Sequence, residues 1–207
     1  MALEKVPESI LQRYRLKEYR HASGVLQSDF AEQWMDIIDC LGAFTLRRSW
    51  ITVGGGGRSK VSQTLDAFLA NRGWQEEHFD IKIVVDGEEH PTPTHKIDNF
   101  KRGPSTQLGT ASGVGVEVEW NNKTEFYDRD LNNFRLLHEL RVLSVGVIIT
   151  RVSELQRIFD GLGIGTKYGA STTHWDKLIP KVEGGGAGGC PLLLIGITAN
   201  CYDDDTL

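Results

Sequence analysis

Hydrophobic positions in the first third of the chain recur at helical spacing. Residues 4–20 have helix-forming composition, with Val6, Ile10, Leu11 and Tyr14 as an apolar stripe. Ser28-Asp29 is placed to cap a second helix, in which Phe30, Trp34, Ile37, Ile38 and Leu41 share a face and Gly42 marks the end. The run ITVGGGGRSK, from Ile51 to Lys60, then predicts a flexible surface loop. A third helix is expected from Ser59 to Asn71, with Val61, Leu65, Phe68 and Leu69 inward and Gly73 as its stop.

Beyond Gly73 the period changes to two. Phe79, Ile81 and Ile83 alternate with Asp80 and Lys82, and Asp86-Gly87 is a turn signal. EEHPTPTHK reads as a connection before a short strand, KIDNF. Residues 102–115 are rich in Gly, Ser and Thr and predict an exposed insertion. A strand follows at 114–120, a helix at 128–140 with Leu131, Phe134, Leu137 and Leu140 on one face, and two continuous apolar strands, VLSVGVIIT and PLLLIGIT. Gly184–Gly189 reads as a mobile loop or a linker. Strand, helix and strand in this order predict an α/β domain with a mixed sheet flanked by helices.

That sheet carries the candidate chemistry. Along GVGVEVEWNN, Glu117 and Glu119 point the same way, while Val114, Val116 and Val118 occupy the opposite, buried face. Two carboxylates side by side repel unless a positive charge lies between them. With Asp98 from KIDNF added, the expected occupant is a hard divalent cation held by oxygen. The competing reading places Glu117 and Glu119 on the solvated face of an edge strand.

Composition sets the boundaries. The chain of 207 residues is 40% hydrophobic, enough for one substantial core. No apolar stretch approaches the ~20 residues that span a bilayer, and the charged N-terminus lacks a secretory signal's apolar run. Cys40, Cys190 and Cys201 show no paired spacing, which points away from zinc and disulfides and toward a reducing cytoplasm. A net charge of −5 argues against a protein that simply coats nucleic acid. Asp203, Asp204 and Asp205 read as a solvated acidic tail; Lys101, Arg102, Arg129, Arg135, Arg141, Arg151 and Lys177 are among the cations of the half that holds the acids.

An Asp followed on the next strand by E-x-E, a helix and a buried strand resembles the PD-(D/E)XK nuclease core. The order NRGW, Asp98, VEVEWNN, helix, VGVIIT and PLLLIGI is similar to the BglII/BstYI group of type II restriction endonucleases, from about Ser59 to Thr198. Ile97 stands where the motif has Pro, residues 103–113 look inserted, and Glu119 stands at the usual lysine, as Glu does in the related BamHI. The resemblance implies one nuclease domain: a helical part at 1–58, a catalytic core at 59–198 and the tail at 199–207. It implies Mg²⁺-dependent cleavage of double-stranded DNA at a short palindrome, leaving 5′-phosphate and 3′-hydroxyl ends. Asp98 and Glu117, with the Val118 carbonyl, would hold one or two Mg²⁺ per site, and Glu119 would bind a second ion or act on the water.

Recognition is expected beside the same strand, at Asn121, Asn122 and Lys123, and in GTKYGASTTHW through Lys167, Ser171, Thr172 and Thr173. For the asparagines the alternative is a turn. A palindromic target suggests a homodimer, its interface on the 128–140 helix or the N-terminal helices, and a restriction enzyme implies a cognate DNA methyltransferase. GGGGRSK and GLGIGTK lack P-loop spacing. His90 and His95 have no third metal partner, and His138 and His174 read as packing residues. Two other classes fit the same fold: a repair or mobile-element nuclease, and a non-catalytic DNA-binding module.

Overall fold

The computed structural model describes residues 2–54, 57–91, 94–104 and 112–206. Residues 105–111 of the expected insertion at 102–115 lie outside these, and Gly113–Gly115 are not exposed but buried in a strand. In chain order the elements are α1 (Glu8–Arg13), β1 (Tyr14–Tyr19), α2 (Ala22–Asp29), α3 (Ala31–Ala43), β2 (Leu46–Arg47), α4 (Arg48–Thr52) and α5 (Lys60–Ala70). There follow β3 (Gln75–Phe79), β4 (Lys82–Val85), β5 (Glu88–Pro91), β6 (His95–Arg102), β7 (Gly113–Glu119), α6 (Glu125–Glu139) and β8 (Leu143–Arg151). The chain closes with α7 (Gln156–Gly161), α8 (Trp175–Glu183), β9 (Leu192–Ile197) and β10 (Tyr202–Asp203).

A six-stranded mixed sheet, β1-β9-β8-β7-β6-β3, organises the molecule, and helices cover both faces. Strands β7, β8 and β9 run parallel at its centre, with β6 and β1 antiparallel beside them. On one face Val114, Val116, Val118, Val147 and Ile195 pack with Ile37, Leu41 and Leu65 of the N-terminal helices. On the other, Ile148, Leu192 and Leu194 pack with Leu131, Phe134 and Leu178 of α6 and α8. Gly146 lets α6 approach: a Cβ there would lie 2.4 Å from Phe134 Cδ2.

Several expectations need correction. The helix expected over 4–20 stops at Arg13, because YRLKEY alternates and pairs antiparallel with β9, Tyr14 opposite Ile197. Ladder pairing and the buried Tyr14 override helix propensity there. Ser28-Asp29 ends α2 rather than capping α3. Arg48–Thr52 is helical, which shortens the expected loop; Ser59 does cap α5, accepting the Ser62 N–H. Ile83 belongs not to the main sheet but to a separate β4–β5 hairpin, turned by Asp86 and Gly87 at positive φ.

Gly184–Gly189 is a run of turns closed by backbone bonds such as Gly186 N–H to Lys181 O, with Ala187 buried, and not an unstructured linker. The acidic tail is docked: Tyr202–Asp203 pairs with Leu46–Arg47, Asp204 meets Arg48 at 3.1 Å, and Asp205 accepts the Ser49 N–H at 2.9 Å. Among the described residues no helix is long and apolar enough to cross a membrane.

Candidate active site

The carboxylates lie on central strands. Every residue of β7 is buried, and Glu117 and Glu119 are each 2% exposed, so the solvated-edge reading fails. Val116 and Val118 face the opposite core, as alternation requires. On the neighbouring strand, Gln75 pairs with Phe100 but Glu77 with Ile97, so Asp98 and Asn99 together oppose Glu76. This is a bulge, and bulges re-aim side chains. Asn99 turns to α5, donating to Asp66 Oδ1 at 2.8 Å, while Asp98 faces a cleft and donates its N–H to Glu117 Oε1 at 3.2 Å.

The cleft, about 680 Å³, is lined by Asp98, Val118 and Glu119 and by the cations Arg58, Lys96, Arg129 and Lys167. Arg58 Nη2 bridges Asp98 Oδ2 at 3.2 Å and Asp66 Oδ2 at 2.7 Å. Lys96 Nζ lies 2.9 Å from Asp98 Oδ1. Asp130, wholly buried on α6, accepts from Arg129 Nε and Nη2 at 2.8 and 2.7 Å; Arg129 Nη2 also lies 3.6 Å from Glu119 Oε1.

Burial of so many acids shifts their protonation. Burial, then the charges of Asp130 and Asp98, pushes Glu117 well above the usual carboxylate range. Burial and Asp130 bring Glu119 up to about 8. Asp130 itself rises to about 6 through burial, opposed by Arg129. Oxygen donors short of positive charge suit a hard cation in their chemistry. Their spacing is not closed on a common point: among the described residues no three acidic, His or Cys side chains stand ready to hold an ion. Lysine and arginine nitrogens sit on Asp98 instead.

Several expected recognition residues hold one another. Asn122 Nδ2 donates to Glu119 Oε2 at 2.7 Å; its N–H reaches Thr173 Oγ1 at 3.1 Å and its carbonyl accepts from Thr173 N at 2.9 Å. Lys123 bridges Thr172, whose hydroxyl accepts from Arg151 Nη2 at 2.9 Å. Lys167 Nζ donates to Ile51 O and Val53 O at the C-terminal end of α4. Thr173 is fully buried, Ser171 is exposed, and Asn121 lines the cleft with a buried Oδ1 that finds no partner among the described residues.

Sequence reasoning missed Asp66, Asp130 and the cleft roles of Arg58, Lys96 and Arg129. Asp130 left a signal, since it falls on the apolar face of its helix with Tyr127, Leu131 and Phe134.

A model of the restriction endonuclease BglII/BglIII family matches residues 14–197. The chain belongs to that family. The match begins and ends at the paired residues Tyr14 and Ile197, so it spans the whole six-stranded sheet and all the carboxylates above. As a BglII/BglIII-family restriction endonuclease, the protein is a hydrolase that cleaves DNA site-specifically. Enzymes of this family are generally metal-dependent. Comparison with curated proteins returned no match.

The Asn122–Thr173 contact ties the loop expected to read bases to Glu119. Replacing Thr173 with Val keeps the shape but strands the Asn122 N–H. Single-turnover cleavage is expected to slow about 10–100-fold, the scale of lost supporting contacts, with Thr173→Ser restoring it. An unchanged Thr173→Val rate would remove the loop from any role in holding Glu119.

Proposed function

We propose that this enzyme acts as a Mg²⁺-dependent homodimer that cuts both strands of a short DNA palindrome. The observation that carries the reading is Asp98 and Glu119 at a cleft lined by Arg58, Lys96 and Arg129, with buried Glu117 accepting the Asp98 N–H behind them. Asp98 and Glu117, with the Val118 carbonyl, would hold the ion. When bound, Mg²⁺ supplies a Lewis acid for the phosphate and lowers the pKa of a water. Glu119 takes the proton of the attacking water, a role suited to a carboxyl held near working pH by burial and Asp130. In-line attack then leaves a 5′-phosphate and a 3′-hydroxyl.

Asn121, Lys123 and Ser171 face the duplex in this reading, while Asn122, Lys167, Thr172 and Thr173 fix the loop that presents them. The chain functions as one nuclease domain, since β1 of the first 58 residues completes the sheet against β9. Two copies related by a two-fold axis match a palindrome, and a methyltransferase modifying the same site protects the host. Three free, buried cysteines suit a cytoplasmic setting.

Digestion of a fully sequenced plasmid in Mg²⁺, followed by sequencing of the ends, tests this directly. Discrete fragments with 5′-phosphates at one palindrome are expected, with no cutting in EDTA. Smears, or cuts at structural features rather than a sequence, would favour a repair-type nuclease, and binding without cleavage a non-catalytic module.

A further inference from the structure

Glu119 stands where the nuclease motif carries a lysine, so the site lacks the motif's own fixed cation. A phosphodiester entering the cleft meets Asp98 and Glu119, with Glu117 buried behind them. Arg58 and Lys96 are each shared between two carboxylates on the Asp98 side, Arg58 by Asp66 and Asp98, Lys96 by Glu76 and Asp98. On the opposite side, α6 delivers Arg129 to the cleft. It too lies between two acids, but its close partner at 2.7 Å is Asp130, behind the cleft lining, with Glu119 at 3.6 Å and Asp98 not engaged.

Arg129 is placed with unusual care for a half-exposed side chain. Its Nε and Nη2 both donate to Asp130 Oδ1, its guanidinium lies over the Phe126 ring at 4.6 Å, and its side chain keeps 48% of its surface. Asp130 has no exposure, and besides holding Arg129 it shares a side-chain hydrogen bond with Glu119. Burying a carboxylate wholly, with a half-exposed arginine as its cation, costs stability. Such an arrangement makes sense where the arginine's direction matters to something outside the fold. A guanidinium is well matched to a phosphate's oxygens, and fixed cations aimed at developing charge are a principal means of stabilising phosphoryl-transfer transition states.

We propose that Arg129 is a catalytic residue that contacts the scissile phosphodiester, and that Asp130 is the positioning residue which aims it. The inference rests on the Asp98–Glu117–Glu119 reading of the site. Arg129 supplies the fixed positive charge that Glu119, in place of a lysine, does not.

The test uses a short duplex containing the target sequence found by digestion, with single-turnover rates in Mg²⁺ and affinity by fluorescence anisotropy in Ca²⁺. Arg129→Ala is expected to slow cleavage on the order of 10²–10³-fold while affinity changes less than about threefold. Arg129→Lys should recover little, because an ammonium cannot hold Asp130 and a phosphate as a fork does. Added methylguanidinium should accelerate Arg129→Ala and leave Asp98→Asn unmoved. Asp130→Asn should lower the rate less than Arg129→Ala does. Since Arg129→Ala leaves Asp130 without a cation, the double variant Arg129→Ala/Asp130→Asn is measured beside it and should show the same rate loss and rescue in a folded protein. Near-parental cleavage by the Arg129 variants, or rate and affinity falling together without rescue, would overturn the proposal. Activity retained by Asp98→Asn would instead overturn the underlying site reading.

Discussion

Glu117→Gln is expected to abolish cleavage while making the protein more stable. The carboxylate is 2% exposed, and both burial and the neighbouring charges of Asp130 and Asp98 disfavour its ionised form. An amide of the same shape removes a charge that the fold tolerates poorly and can still accept the Asp98 N–H through its carbonyl oxygen. The same change removes a charged oxygen from the proposed ion site. Cleavage should fall on the order of 10³-fold, the scale of losing a major electrostatic contact to the transition state. In EDTA the melting temperature should rise, by about 2–4 °C per kcal/mol for a chain of this length.

Asp98→Asn should abolish cleavage equally, but without that gain, because Asp98 is already paired with Arg58 and Lys96. Single-turnover rates and thermal melts of the two variants test both statements. A Glu117→Gln protein that still cuts would falsify the ligand assignment, and one that melts lower would show that Glu117 stabilises the fold. A site whose acids cost stability is the common exchange between function and fold.

The acids were legible because a strand has an exact period. Glu117 and Glu119 two residues apart, with Val116 and Val118 between and beside them, could face only one way. Their burial was not legible, since that depends on β8, β6 and α6 closing over them. Asp98 was found through the order of motifs, yet its aim into the cleft comes from a bulge, and a bulge leaves no mark in KIDNF. Asp130 was legible and overlooked: an acid on the apolar face of a helix needs a reason. The helix expected over 4–20 went astray because helix-forming composition outweighed the alternation of Tyr14, Leu16 and Glu18, which long-range pairing with β9 decides. The expected reading residues share that limitation. Asn122, Thr172 and Thr173 have the right chemistry for bases, but neighbours distant in sequence claim their hydrogen bonds first.

Stability without divalent cations should fall as pH rises from about 5 to about 8. The folded chain keeps protons on Glu117, Glu119 and Asp130 that the unfolded chain releases at ordinary carboxylate values. Unfolding therefore releases protons across this window, so the stability these groups contribute is complete at its acid end and lost toward its alkaline end. Glu119 and Asp130 lie close enough to titrate as a unit, which makes the slope a property of the cluster. Mg²⁺ must displace the same protons, so its stabilising effect should be larger at about pH 8 than at about pH 5. Thermal melts in EDTA and in Mg²⁺ across this range measure both trends, with Glu119→Gln expected to flatten the EDTA slope. A flat EDTA profile in the parent would mean that the acids ionise freely in the fold. Equal Mg²⁺ stabilisation at both ends would place the ion elsewhere. Because the protons must leave as the cation enters, the acid cluster that weakens the fold would bind the ion more tightly as pH rises.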